Sequence, residues 1–512
     1  MKNVQLLIGM VLLTLVILVV PVEAQKEDYV WVGGQDPTTN EVKNGVVIDF
    51  NETGAKFEPG IIGYNFDSYS ASICDEDGKL LFYTNGCVVL DSTGNVIENG
   101  DSLNYNEWFE ERWLGDCKRL GYPGPQDIII LPIKDDVFGI ISKVWRYNGF
   151  AAKDSFSLHY SIVRKNISGE FSVQTKDSLV YSRGNLSLGY LTAISSSDAS
   201  SYYILQPISD TSLLATYMLD DISLIRLDDQ ESSNLFTSSK SSASGTARFS
   251  PDGTKYAFYN YYDGLHIYDF DRSTGKISNH QEVVIFDSIN IEDSRFGSVE
   301  WSADSRFIYT ASRDELHQVD TWEPDLQDGV RLIDVYDGTQ NPFSTTFFLM
   351  ALAPDCKIYM ASTSSNSSYH VIHNPDQLGT ACNFVQNGIE LPQSSGMPSF
   401  PNHPRWRVDE EDKCDPAITS IFGEAVYYRS ELSVYPIPST GIYTVDIPLQ
   451  KAGVVHVTSI QGQILRSYEV ASSDRTLTID ITDMPGGLYH VEYYPHDNKE
   501  RQVFTRQVVM VE

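Results

Sequence analysis

Three stretches near the middle of the chain repeat one design: FSPDGTKYAFYN from Phe249, WSADSRFIYTAS from Trp301 and LAPDCKIYMAS from Leu352. They start 52 and 51 residues apart. Each has a short strand end, a turn around an Asp, and an aromatic-rich alternating strand. Asp252-Gly253 supplies the positive φ angles that a two-residue hairpin turn needs. Weaker copies lie upstream: ICDEDGKLLFYT around Asp77, IKDDVFGIIS around Asp136 and ISSSDASSYYILQ around Asp198. With Asp252, Asp304 and Asp355 these anchors are 59, 62, 54, 52 and 51 residues apart. A seventh strand of the same type, DYVWVGG, begins at Asp28.

A second strand type follows each one, as in LHYSIVRKNISGEF, LHIYDFDRSTGKIS, LHQVDTWEPD and YHVIHNPDQLG. Several end in Asp or Asn with Gly, the signal for the next hairpin. A composition of 12% aromatics, with 30 Tyr and 23 Phe, suits strands. The reading is all-β: units of about 50 residues with four short antiparallel strands, repeated radially as a β-propeller. Closing the circle protects edge strands that a linear array would expose. We expect seven blades over residues 27–405. The first unit is weak, so six or eight are the alternatives.

The chain opens MKNVQLLIGMVLLTLVILVVPVEAQ. Lys2, an apolar run to Val20, the break at Pro21 and small residues before Gln25 spell a secretory signal peptide over residues 1–24, cut between Ala24 and Gln25. The competing reading, a membrane anchor, needs a longer run without a cleavage-like end. No later segment is apolar enough to span a bilayer, so no transmembrane segment is expected in the mature protein. Six Cys fit an oxidising compartment. Cys74 and Cys87 lie at opposite ends of a turn-plus-strand and are too far apart to pair. Cys87 with Cys117 is the preferred pair.

The net charge of −32 sits almost wholly in the middle of the chain: Leu432–Glu512 holds nine acids and six bases. Such a surface repels nucleic acid and anionic membranes. It is compatible with Ca²⁺, although no cofactor is predicted. There is no GxSxG, HExxH, P-loop or GxGxxG before a helix, and no zinc-type Cys/His spacing. Asp75-Glu76-Asp77-Gly78 lacks the later ligands of a calcium loop and reads as a hairpin turn. His159, His266, His317 and His370 recur at one place in the second strand type. One per blade, they are too dispersed to share an ion and read as structural. His370 and His373 point to opposite faces of a strand.

FSPDG, WSADS and LAPDC resemble the repeats of WD40-like and lactonase-like propellers. HNPDQLGTACNFVQNGIELPQSSGMPSF, from His373, is similar to the propeller end in a group of exported Bacteroidetes proteins, some linked by name to gliding motility. Met397 departs from the Leu of that pattern. ICDEDGKLLFYTNGCVVLDSTGNVIENG resembles the early blade of the same group. Enzymes among lactonase-like propellers hold a channel metal through carboxylates and Asn, and that ligand set does not map onto this sequence. The metal site is therefore unassigned and no catalytic residue is named.

After a linker over 406–431, LSVYPIPSTGIYTVDIP starts a run of six or seven short strands, enough for a small β-sandwich. Their order resembles the type A C-terminal sorting domain of the type IX secretion system, over 432–512. Tyr435, Pro436, Pro438, Gly441, Gly462, Asp480, Gly487, Tyr489 and Arg506 fit that pattern, whereas Ile437 stands where the family has Asn. The resemblance implies partnership with the Sec and type IX machinery, outer-membrane export, and removal of the tail by a sortase-like protease. The cargo is then secreted or held on the cell surface. The functional expectation is an exported binding propeller whose rim takes a glycan or protein ligand. The alternatives are a lactonase-like or other hydrolase with a channel metal, and a structural part of a gliding or adhesion apparatus. The balance of these readings is against an enzyme.

Overall fold

The computed structural model describes residues 25–511 except 35–44, 53, 61–62, 67, 135, 148–153, 182–185, 222, 233–244, 261–262, 286–295, 393–398, 410–413, 415–431, 448–451, 460–463, 472–473 and 496–503. The signal segment, with Ala24, lies outside the described residues.

Among the described residues, seven antiparallel sheets follow one another between Val30 and Glu390. Sheet 5 shows the plan. Gly245–Phe249, Lys255–Asn260, Gly264–Asp271 and Lys276–Val283 pair in simple succession. The first strand is flanked by Ser250 and Asp252, whose side chains close the turn, and the next alternates aromatics that are all buried. Sheets 3, 6 and 7 repeat this order, and sheet 4 adds a short fifth strand. Sheets 1 and 2 have three strands each.

Each sheet packs its apolar face on the next. Val32 meets Tyr83 between sheets 1 and 2, and Phe82 meets Phe138 between sheets 2 and 3. Ile141 and Ile204 share a core between sheets 3 and 4, as do Leu205 and Phe258 between 4 and 5. Ile267 and Trp301 join sheets 5 and 6, and Tyr309 and Met360 join 6 and 7. The last core returns to the start: Tyr359 of sheet 7 packs on Trp31 and Phe50 of sheet 1. The fold is all-β and propeller-like, with one hydrophobic core between every adjacent pair of sheets.

Sheet 1 is one strand shorter than sheet 5. Its first strand, Val30–Gly33, runs against the first strand of sheet 2. Ser72 and Ser70 hydroxyls donate to the Val30 and Val32 carbonyls at 2.8 and 3.2 Å, and Cys74 N–H donates to Glu27 O at 2.8 Å. Neighbouring innermost strands elsewhere run in the same sense, as the parallel bridge between Gly189 and Gly245 records. Val30–Gly33 therefore corresponds in direction to the second strands of the other sheets, as its likeness to the aromatic strand type predicts, and among the described residues it is the edge of its own sheet. The end of the propeller region packs beside this edge. Phe400 packs on Trp31, and Arg407 grips Asp28 with two bonds of 2.8 Å. The two ends of this all-β region thus meet.

Cys87 is bonded to Cys117, the preferred pair from sequence, and Cys356 to Cys414. Cys74 and Cys382 are free and buried. Residues after 431 form a second core of their own. A three-stranded sheet (Val434–Tyr435, Ile442–Asp446, Thr476–Asp480) faces a four-stranded one (Gly453–Ser459, Ile464–Val470, Gly487–Pro495, Phe504–Met510). Val445, Ile479, Val457, Val491 and Val508 fill the space between. This is the expected small sandwich. Among the described residues no helix is long and apolar enough to cross a membrane.

Candidate functional site

The axis of the ring is occupied by the chain itself. Phe400–Val408 runs along it, held by backbone groups that the innermost strands leave unused. The Asn402 side chain donates to Ile128 O at 3.0 Å and Leu191 O at 2.9 Å, while its N–H donates to Ser70 O at 2.9 Å. Its side-chain oxygen accepts from Arg248 at 2.7 Å. One residue thereby ties together sheets 3 and 5 and the lead-ins to sheets 2 and 4. Three residues on, Arg405 N–H donates to Ala193 O at 3.1 Å and its guanidinium to Phe249 O at 2.8 Å.

Charge is buried around this segment. Glu300 lies between Arg405, at 2.6 Å, and Arg248, at 3.2 Å. It also accepts from the Trp301 and Leu352 N–H groups at 2.8 and 3.1 Å. Burial alone would raise its carboxyl, but the two guanidiniums and these bonds hold it below the usual glutamate range. His403, beside them, is pushed down to about 4 by burial and is neutral at pH 7. A cavity of about 40 Å³ remains, lined by Asp28, Trp31, Arg248, Glu300, His403 and Arg405 among others. It has room for one small guest and none for a sugar ring.

In sheets 2 to 7 the turns that join first and second strands lie on one face. At Asp198, Asp252 and Asp304 the carboxylate accepts from a hydroxyl two residues earlier (Ser196, Ser250, Ser302) and from the backbone two residues later. Those hydroxyl bonds, first from Ser196, hold Asp198 down to about 2. Gly253, with φ of +71°, completes its turn. Asp355 instead accepts from Lys357 and Tyr359 side chains at 2.8 and 2.9 Å. In the ICDEDG turn the bonds go to Asp75: Asp77 and Lys79 N–H donate to it at 3.1 and 2.8 Å. Asp136 sits at a φ of +58° and pairs with Lys165. These turns also bridge sheets. Asp252 N–H donates to Ser305, and Asp304 N–H to Asp376 of sheet 7 at 3.1 Å. Burial first, and then the Asp304 charge, push Asp376 up to about 7.

Between sheets 2, 3 and 4 this face opens into a cleft of about 540 Å³. Carboxylates of Glu27, Asp75, Glu76, Asp77, Asp136 and Asp221 line it, with Lys134 and Lys165 as the basic residues. Phe138, Leu81, Leu219 and Tyr202 supply apolar wall. Burial pushes Glu27 up to about 7. Sequence reasoning found Asp77 and Asp136 as turn anchors. It did not bring them together, because their approach depends on how sheet 2 packs on sheet 3, through contacts such as Phe82 on Phe138, which turn spacing does not report.

The repeated histidines lie in the third strands of sheets 3, 5, 6 and 7, and burial pushes each down to about 4. His159 bonds to Ser157, His266 to His280 and His370 to Ser362 and Asn387 N–H. Among the described residues no three His, Cys, Asp or Glu side chains gather to hold a metal ion.

In the last sandwich, Tyr435 donates to Asp446 at 3.0 Å, and both Pro436 and Pro438 follow cis bonds. Ile437 is half-buried against the core. The turn after it is closed by Ser439, whose hydroxyl oxygen accepts from Gly441 and Ile442 N–H at 3.1 Å. Gly441 has a φ of +109°, and a Cβ there would meet the Thr482 backbone at 2.8 Å. Asp480 accepts from Thr482, Gly487 opens a strand, Tyr489 donates to Pro485 O, and Arg506 lies opposite Val491. Gly462 lies outside the described residues. Gln25 sits at the ring closure, where its side-chain oxygen accepts from Arg407 N–H at 2.8 Å.

Residues 433–509 match the family described as a secretion system C-terminal sorting domain. No curated protein matches the chain. Among solved structures it is similar to a periplasmic gluconolactonase of Pseudomonas aeruginosa (13% identity, 73% of this chain and 99% of that one, TM-score 0.42). A Bacteroides uniformis protein provisionally named a 6-phosphogluconolactonase gives 12%, 74%, 98% and 0.45. The extracellular domain of a provisionally named one-component system from B. thetaiotaomicron gives 10%, 95%, 57% and 0.35. At these values the likeness carries no assignment of activity. The sorting domain marks the chain as cargo of the type IX system, delivered to the cell surface or the extracellular space.

Proposed function

We propose that this chain is a secreted binding protein: a seven-bladed propeller over 27–405, joined through 406–431 to a sorting domain over 432–512. The observation that carries the reading is the filled axis. A channel-metal hydrolase needs space there, and Asn402, Arg405 and Glu300 take it. The cleft on the turn face is the larger space by more than tenfold. Six carboxylates against two lysines favour a cationic ligand, and the apolar wall suits the stems of Lys or Arg side chains. The favoured partner is a basic segment of a protein, and a neutral glycan is the other arm of the test.

The secreted chain should bind a lysine-rich decapeptide by calorimetry, with affinity falling steeply as salt rises. Asp77→Asn combined with Asp136→Asn should weaken it several-fold without changing the melting temperature. Binding of neutral glycans and not of the peptide, or equal affinity in the double variant, would overturn this assignment.

A further inference from the structure

We propose that the cavity at the propeller axis is a binding site for a small monovalent anion of halide size. Trp31 and Trp406 line it, and each keeps a buried indole nitrogen with no hydrogen-bond partner among the described residues. Both side chains are nine-tenths or more buried, at 1% and 5% exposure. His403 lines the same cavity, and its Nε2 is likewise buried and unpartnered. An indole N–H can only donate, whereas the Nε2 of a neutral imidazole donates in one tautomer and accepts in the other, so the two indoles fix the demand. Leaving buried donors unmet is costly, so the cavity calls for an acceptor.

The lining cannot supply that acceptor from its own carboxylates. Each Glu300 oxygen already accepts two bonds, from Arg405 and Trp301 N–H on one side and from Arg248 and Leu352 N–H on the other. Both Asp28 oxygens accept from Arg407. A water in the cavity would accept from one or two donors but would still have to place its own hydrogens among these occupied oxygens. An anion accepts from all sides and donates nothing. Charge points the same way. Among the described residues Arg248 and Arg405, both lining the cavity, share the single carboxylate of Glu300, two positive groups against one negative, with His403 beside them. A single negative charge balances the set, and buried charge is tolerated when paired and hydrogen-bonded. The volume of about 40 Å³ admits a halide and excludes larger organic anions.

The test uses the secreted full chain and two probes, bromide and chloride. Crystals grown in sodium bromide should show one bromine anomalous peak inside the ring, bordered by Arg248, Arg405 and Trp31. At constant ionic strength the melting temperature should rise as chloride replaces gluconate, an anion too large to enter. Trp31→Phe and Trp406→Phe keep the rings and remove one donor each, so halide affinity should fall roughly tenfold or more where the donor touches the ion. A cavity that holds only water in bromide crystals, or melting that ignores chloride, overturns the proposal. So do two variants whose halide affinity equals that of the parent.

Discussion

Glu300→Gln isolates what the buried charges at the axis contribute. The amide keeps the shape of the side chain but removes the charge that Arg248 and Arg405 share, and it turns one acceptor into a donor facing them. Removing one partner of a buried pair typically costs about 3–5 kcal/mol. For a cooperative unit of roughly 380 residues the unfolding entropy is about 0.8 kcal/mol per degree, so the melting temperature should fall by about 4–6 °C. Scanning calorimetry at pH 7, in gluconate so that halide binding does not mask the effect, reads this directly.

The pH dependence supplies a second check. The folded carboxyl of Glu300 lies below its unfolded value, so its contribution is present above the unfolded range and is lost as pH falls through the folded value. The gap between parent and variant should therefore narrow toward strong acid. Arg405→Gln added to Glu300→Gln should cost much less than the sum of the two, because the pair acts as a unit. A variant within 1 °C of the parent at pH 7, or a gap that stays constant into acid, would refute the reasoning that this carboxylate is held by its neighbours.

Two further outcomes follow from the fold. Deleting Leu432–Glu512 should leave the propeller in the periplasm, read by fractionation and blotting; normal secretion of the truncated chain would contradict a sorting role for the match over 433–509. Gly189→Ala should destabilise strongly, because φ there is +79° and a Cβ would stand 2.0 Å from the Gly245 carbonyl. The backbone angle alone costs about 1–3 kcal/mol, and denaturant melts should show a loss beyond that range.

The blades were legible because each repeats a local signal. Ser or Ala, a spacer and Asp mark the turn at Asp198, Asp252, Asp304 and Asp355, and aromatic alternation marks the strand that follows. The sandwich was legible for the same reason, through turns at Ser439-Thr440-Gly441 and Pro485-Gly486-Gly487. The axis was not. SFPNHPRWRV has no alternation and two prolines inside it, so it reads as irregular end-of-domain chain. Its partners, at Ile128, Leu191, Phe249 and Glu300, are more than a hundred residues away. The cleft escaped for a related reason: Asp77 and Asp136 become neighbours only when sheet 2 packs on sheet 3. Even within a turn, sequence spacing pointed to Asp77, although Asp75 takes the place of the blade serine and receives the backbone bonds.

The Cys356–Cys414 bond gives the molecule a knot between its two destinies. Cys414 follows the axial segment by only six residues, and its mate lies in a turn of sheet 7. Any cut beyond Cys414 severs the shipping tag without slackening the thread that runs through the ring. The cargo can shed its address and stay buttoned.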